Sequence, residues 1–119
     1  MIYTGIDIIE IDRIKKVYLQ YPKRFMKKIF TEKEISYCKG RYPQIAARFA
    51  CKEAVMKALG TGIRGVPWKS IEVYRARGKA PEIILHGNAK FIANELGIKR
   101  IALSISHSKN YAVASVVAE

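Results

Sequence analysis

Negative charge is what this chain has least of. Ten Asp and Glu stand against 22 Lys and Arg, a formal net charge of +12 over 119 residues. A field of that sign needs an anionic counterpart. Cysteine is nearly absent too: Cys38 and Cys51 stand alone, with no Cys-x-x-Cys and no nearby His pair. That excludes a zinc site and a disulfide framework and predicts two reduced thiols, with Cys51 assigned to packing in a helix. Proline and glycine are scattered singly, so there is no linker, repeat or low-complexity tract, and a single domain over 1–119 is expected. No apolar run reaches the roughly 18 residues of a membrane span. Met1 leads directly into strand-like sequence rather than a basic and then apolar signal segment, so a soluble, cytoplasmic protein is expected.

What is present is apolar material for a real core, 50% of the residues, and a strongly uneven charge distribution. From Arg13 through Thr31 there are basic residues at 13, 15, 16, 23, 24, 27 and 28 and no acidic one. One face near the N-terminus is therefore strongly positive. Nucleic acid, a phosphorylated small molecule, an acidic protein or an anionic membrane would each answer it, and charge alone does not choose.

The pattern predicts an α+β fold, with a mostly antiparallel sheet packed against a long buried helix. Ile2 to Ile11 reads as a largely buried strand containing Asp7. Asp12 is expected to N-cap a helix over Arg13 to Tyr21, and Pro22 to Phe30 forms another. Thr31 and Glu34 make a capping box for a short helix to about Lys39. Pro43 opens the longest helix, ending at Leu59 before Gly60-Thr61-Gly62. A loop over Gly62 to Trp68 leads to strands Ser70 to Ala76 and Glu82 to Leu85. Helix Ala89 to Leu96 and strands Arg100 to Ser106 and Tyr111 to Ala118 complete the chain.

The long helix is apolar on both sides yet carries Arg48, Lys52, Glu53 and Lys57, and buried charge must be paired or bound to something. Glu53 and Lys57 stack on one edge, Arg48 and Lys52 on another. An internal salt-bridge set would explain them. Asp7, flanked by Ile6 and Ile8, poses the same problem. Two isolated carboxylates suit Mg²⁺, which takes its remaining oxygens from water and phosphate. Arg48, Lys52 and Lys57 would then be phosphate binders, and Gly60-Thr61-Gly62 either a close backbone approach or a plain helix cap. His107 stands where an imidazole can reach a ligand or simply decorate a hairpin; His86 reads as a turn residue. Ser104, Ser106 and Ser108 lack a nucleophile elbow, so hydrolase chemistry is poorly supported.

Three blocks in order, GIDIIEIDRI from Gly5, RFACKEAVMKALGTG from Arg48 and SISHSKNYAVASVV around His107, resemble the holo-[acyl-carrier-protein] synthases, the short bacterial type of 4′-phosphopantetheinyl transferase. The resemblance spans essentially the whole chain. It implies transfer of the 4′-phosphopantetheine arm of coenzyme A to a serine of an acyl carrier protein, a step of fatty acid biosynthesis, with adenosine 3′,5′-bisphosphate leaving. By matched position Asp7 and Glu53 would hold Mg²⁺, Lys57 would stabilise the phosphoryl oxygens, and Glu53 would take the serine proton directly or through water. Arg48, His107 with Ser108, and the Gly78 to Pro81 turn would surround the coenzyme's nucleotide, and Gly60, Thr61 and Gly62 its phosphates. Ala80 between Lys79 and Pro81 shifts that turn by one residue from the family pattern. Arg13 matches the docking surface for the acidic carrier protein, to which Lys16, Lys23 and Arg24 are added by charge. The short members are homotrimers with the coenzyme between subunits, so His107 would serve from a different chain than Glu53. A nucleic-acid-binding module would explain the charge but not Asp7 and Glu53, which would repel phosphates without a metal; neither nucleic acid nor membrane is therefore an expected partner.

Overall fold

Helix α4, Tyr42–Leu59, is built largely of alanine and other strong helix formers, and small side chains let its neighbours approach closely. The computed structural model describes residues 1–62 and 65–119. Strands β1 (Tyr3–Glu10), β4 (Ile101–His107) and β5 (Tyr111–Ala118) form an antiparallel sheet in the order β1-β5-β4. Its inner face lies against α4. Ala112, Ala114, Val116 and Ala118 of β5 alternate inward and are buried there. Period-two alternation thus matches the helix's small residues with small residues of its own.

The other elements wrap this pair. Helices α1 (Ile11–Gln20), α2 (Pro22–Ile29) and α3 (Glu32–Cys38) follow β1. A single 3₁₀ turn, Trp68–Ser70, precedes a two-stranded antiparallel ribbon of β2 (Ile71–Tyr74) and β3 (Glu82–Leu85), and α5 (Gly87–Glu95) leads into β4. The α+β class and the antiparallel pairing are as the sequence predicts. The Thr31–Glu34 capping box forms in full, with both reciprocal bonds made. Gly60 ends α4 in the left-handed region at φ 75°.

Several expectations are corrected. Strand β1 is not largely buried: Ile6 and Ile8 are 62% and 64% exposed, because only its alternate residues meet α4. Asp12 does not cap α1, which begins one residue earlier behind Glu10; it sits in the first turn and pairs with Lys16 on the surface. Strand β2 is shorter than expected because Ser70 belongs to the 3₁₀ turn, where its hydroxyl donates to the Pro67 carbonyl. Helix α4 starts at Tyr42, with Pro43 second, and α5 starts at Gly87. Of the loop expected over Gly62 to Trp68, Ile63 and Arg64 lie outside the described residues. No helix among the described residues is long and apolar enough to cross a membrane.

Candidate functional site

Gly5 sets the height of β1 above α4. A Cβ there would lie 1.9 Å from the Ala54 carbonyl oxygen, so strand and helix touch backbone to backbone. Two residues on, on the same face, Asp7 is carried to the same stretch of helix and meets Glu53. The Glu53 carboxyl is pushed up to about 7, first by burial and then by the charge and hydrogen bond of Asp7, with Lys57 and Arg13 pulling the other way. Glu53 thus titrates near neutral pH, held there in part by the negative charge of Asp7. Lys57 Nζ donates to the Ile6 carbonyl at 2.8 Å and lies 3.2 Å from Asp7 Oδ1.

Asp7 and Glu53 line a cleft of about 270 Å³ together with Arg13, Ile14, Phe25 and Phe49. Its aromatic wall continues from Phe25 through Phe49 to Trp68, with centroids 6.3 and 5.1 Å apart. Among the described residues there is no group of three or more His, Cys, Asp or Glu that could enclose an ion. The pair offers instead an open-sided hard-oxygen site: two carboxylates, repelling each other, with room for water and ligand oxygens. That donor set fits a divalent ion of the Mg²⁺ kind.

A second cleft, of about 460 Å³, gathers Arg48, Pro81 and His107 with Tyr37 and Arg75. Arg48 is 4% exposed, and its Nε is buried with no hydrogen-bond partner among the described residues. Its guanidinium carbon lies 4.0 Å from the centroid of the Tyr37 ring. Burial alone would push the Tyr37 phenol up, but the Arg48 and Arg75 guanidiniums outweigh it and hold the phenol below its ordinary value. Positions 48 and 53 differ by about 140° around the helix, so the two clefts open on different flanks of α4.

The remaining sequence candidates are dispersed. Lys52 is no phosphate binder: fully buried, it pairs with Glu34 at 2.8 Å and donates to the Trp68 and Ile71 carbonyls. The internal-pair explanation therefore holds for Lys52, while Lys57 is exposed and reaches Asp7 rather than Glu53. Gly60 and Thr61 form the helix cap, their N–H groups bonded to the Lys57 and Met56 carbonyls, while positions 60 and 62 face open space. Ser108 Oγ accepts from the Asn110 and Tyr111 amides in the β4–β5 turn. Arg13, Lys16, Lys23 and Arg24 are all exposed on α1 and α2. Cys38 and Cys51 are free and buried, their thiols pushed up to about 11 and about 12 by burial. His86 is more than a turn residue, lying 3.1 Å from Glu72, which also accepts the Thr31 hydroxyl at 2.6 Å.

Sequence reasoning missed Tyr37 and Arg75 in the second cleft and Glu34 as the partner of Lys52. Glu34 carried a signal, the capping box, but one that explains only half its bonds. Tyr37 and Arg75 come from separate elements and carried none.

Comparison with known proteins gives one answer. Residues 3–116 match the family model of the 4′-phosphopantetheinyl transferase superfamily. The holo-[acyl-carrier-protein] synthase of Chlamydia trachomatis serovar L2 is 50% identical over 123 residues, covering 100% of both chains. Among solved structures, the holo-[acyl-carrier-protein] synthase of Helicobacter pylori in complex with coenzyme A superposes with a TM-score of 0.88 at 34% identity, covering 98% of this chain and 99% of that one. The Neisseria meningitidis enzyme of the same name gives 0.90 at 35%, covering 100% and 99%.

Proposed function

This chain belongs to the 4′-phosphopantetheinyl transferase superfamily, as a holo-[acyl-carrier-protein] synthase, and we propose that it moves the 4′-phosphopantetheine arm of coenzyme A to a serine hydroxyl of an acidic acyl carrier protein. The reaction is Mg²⁺-dependent, releases adenosine 3′,5′-bisphosphate and serves fatty acid biosynthesis in the cytoplasm. A single domain, residues 1–119, carries it. The observation that supports this reading best is the meeting of Asp7 and Glu53, two mutually repelling carboxyls with Lys57 beside them.

Asp7 and Glu53 would hold the Mg²⁺, which would supply charge neutralisation for the pyrophosphate of coenzyme A. Lys57, tethered by the Ile6 carbonyl, stabilises the phosphoryl oxygens as charge shifts toward the leaving group. Glu53 accepts the serine proton, directly or through a water, as the serine oxygen bonds to the phosphorus bearing pantetheine and the bond to adenosine 3′,5′-bisphosphate breaks. A carboxyl poised near neutral pH suits that task. The open backbone at Gly60, Thr61 and Gly62 borders Lys57 on the phosphate side. Arg48, Pro81, His107 and Ser108 lie toward the nucleotide.

Two features support assembly as a homotrimer with coenzyme A between subunits. Ile6, Ile8 and Val117 leave an apolar outer sheet face exposed, and the Arg48–His107 cleft opens on a different flank of α4 from Glu53. His107 then serves a neighbour's Glu53. The carrier protein docks on Arg13, Lys16, Lys23 and Arg24, whose positive surface complements its acidic helix. Nucleic acid and membrane are not partners in this reading, since either would leave the paired acids unexplained.

The deciding experiment is the intact mass of an apo acyl carrier protein after incubation with this protein, coenzyme A and Mg²⁺. A phosphopantetheine mass gain is expected, lost with Asp7→Asn and with chelator. No gain with the wild-type protein would overturn the reading.

A further inference from the structure

A third hollow, of about 310 Å³, lies between β3, α5 and the start of β4, and it shares no residue with either cleft. Strand β3 pairs only with β2 and β4 only with β5, so no ladder joins the two strands that flank it. Buried Ala89 and Ala93 seat α5 closely on the body, and Gly97, at φ 76°, turns the chain back toward buried Ile98. The lining is aliphatic, with Ile83, Leu85 and Ile101 left half-buried beside Ile98. Its rim is cationic: Lys90, Lys99 and Arg100 are exposed, and no acid lines the groove. Arg100 is paired with Glu119, whereas Lys90 and Lys99 enter no ion pair among the described residues. The Lys99 and Arg100 amides donate to the Glu119 carbonyl at 2.6 and 2.8 Å, which fixes that side of the rim.

We propose that this groove binds a fatty carboxylate, its chain laid on the aliphatic lining and its head group at the Lys90 and Lys99 rim. The proposal goes beyond the transferase reading and does not rest on it. A hydrocarbon chain covers the half-buried aliphatic side chains, and the carboxylate answers two ammonium groups that nothing else neutralises. The volume is at the small end for ligand sites, which suits one chain. Other occupants fit less well. A nucleotide would find no aromatic ring to stack on and, in Asn94, a single uncharged polar side chain. A second copy of this chain, at +12, is repelled by a positive rim, and inorganic phosphate would leave the lining uncovered.

The test is isothermal titration of the protein with hexanoate, octanoate and decanoate below micelle formation, with octanol as the uncharged control. Affinity is expected to rise about fourfold for each two methylenes added, and octanoate should bind more tightly than octanol. Lys90→Gln with Lys99→Gln should weaken decanoate binding about tenfold. Asn94→Trp, which fills the groove from α5, should abolish it. All three positions are exposed, so melting temperatures should hold; if Asn94→Trp melts early, the lysine pair decides. Saturating coenzyme A should leave the decanoate affinity unchanged. Four results would overturn the inference: no binding; affinity independent of chain length or untouched by the lysine pair, as for a carboxylate held by charge on α1 and α2; displacement by coenzyme A, which puts the chain in one of the other clefts; or capture of phosphatidylglycerol vesicles through Lys90 and Lys99 without decanoate binding, which makes this a membrane face.

Discussion

Glu34 and Lys52 meet at 2.8 Å with neither side chain exposed, joining α3 to α4 at the centre of the molecule. The pair is fully bonded: Glu34 also accepts from the Thr31 and Val73 amides, and Lys52 donates to the Trp68 and Ile71 carbonyls. Burial drags the lysine below its ordinary value and Glu34 works against that. Lys52→Met would strand a buried carboxylate, so a loss of about 3–5 kcal/mol is expected in urea unfolding. Adding Glu34→Gln should recover part of it, since the stranded charge is then gone. A single variant within about 1 kcal/mol of wild type would mean the pair does not hold these elements together.

Gly5 ties the fold to the site. An added methyl would fall 1.9 Å from the Ala54 oxygen, and that contact is backbone on both sides, so no rotamer relieves it. Gly5→Ala is expected to cost about 1–3 kcal/mol in unfolding experiments and to lift Asp7 away from Glu53. Catalysis should suffer beyond stability: a variant still folded at the assay temperature should lose at least about tenfold in turnover. Full activity in Gly5→Ala would show that the close strand–helix approach does not position the acids.

Glu53 gives a pH dependence whose sign can be worked out. Its carboxyl rises from 4.5 in the unfolded chain to about 7 in the folded one, so the folded state holds the proton more tightly. The stability it contributes is complete below pH 4.5 and is lost as pH rises through about 7. In chelator, the melting temperature should therefore decline across this window, and Glu53→Gln should abolish that part of the decline. Mg²⁺ should oppose it by stabilising the ionised pair. A Glu53→Gln protein with the wild-type profile would rule out Glu53 as the group responsible.

How far this was legible follows from where each signal sits. Asp7 and Glu53 stand out as acids among apolar neighbours, an anomaly visible within each segment, and the capping box at Thr31 and Glu34 is wholly local. Element order and antiparallel pairing follow from turn residues close in sequence. What the sequence hides is pairing across segments. Nothing near Lys52 announces a partner 18 positions back, and its placement beside Glu53 invites a role on substrate that the fold denies it. Arg75 and Tyr37 meet only because α3 crosses the β2–β3 ribbon. The β-branched run from Ile2 to Ile11 reads as buried, but in a strand packed on one side only the alternate residues that face α4 are covered, and residue type does not tell one face from the other.

That second face yields the last prediction. Ile6 and Ile8 point away from α4 at 62% and 64% exposure, with Val117 of the neighbouring strand at 43%. Three β-branched side chains on one sheet surface are an unfavourable thing to leave in water, at about 25 cal/mol per Å² of apolar area. If subunits close over this face, Ile6→Lys with Ile8→Glu should convert the trimer to monomer in light-scattering chromatography while leaving the α4 side of the sheet intact. Monomers should retain the Glu34–Lys52 core but lose transferase activity, because His107 of a neighbour no longer reaches the coenzyme held at Glu53. A wild-type protein that runs as a monomer, or a monomeric variant with full activity, would place His107 and Glu53 in one chain's site and remove the shared-site mechanism.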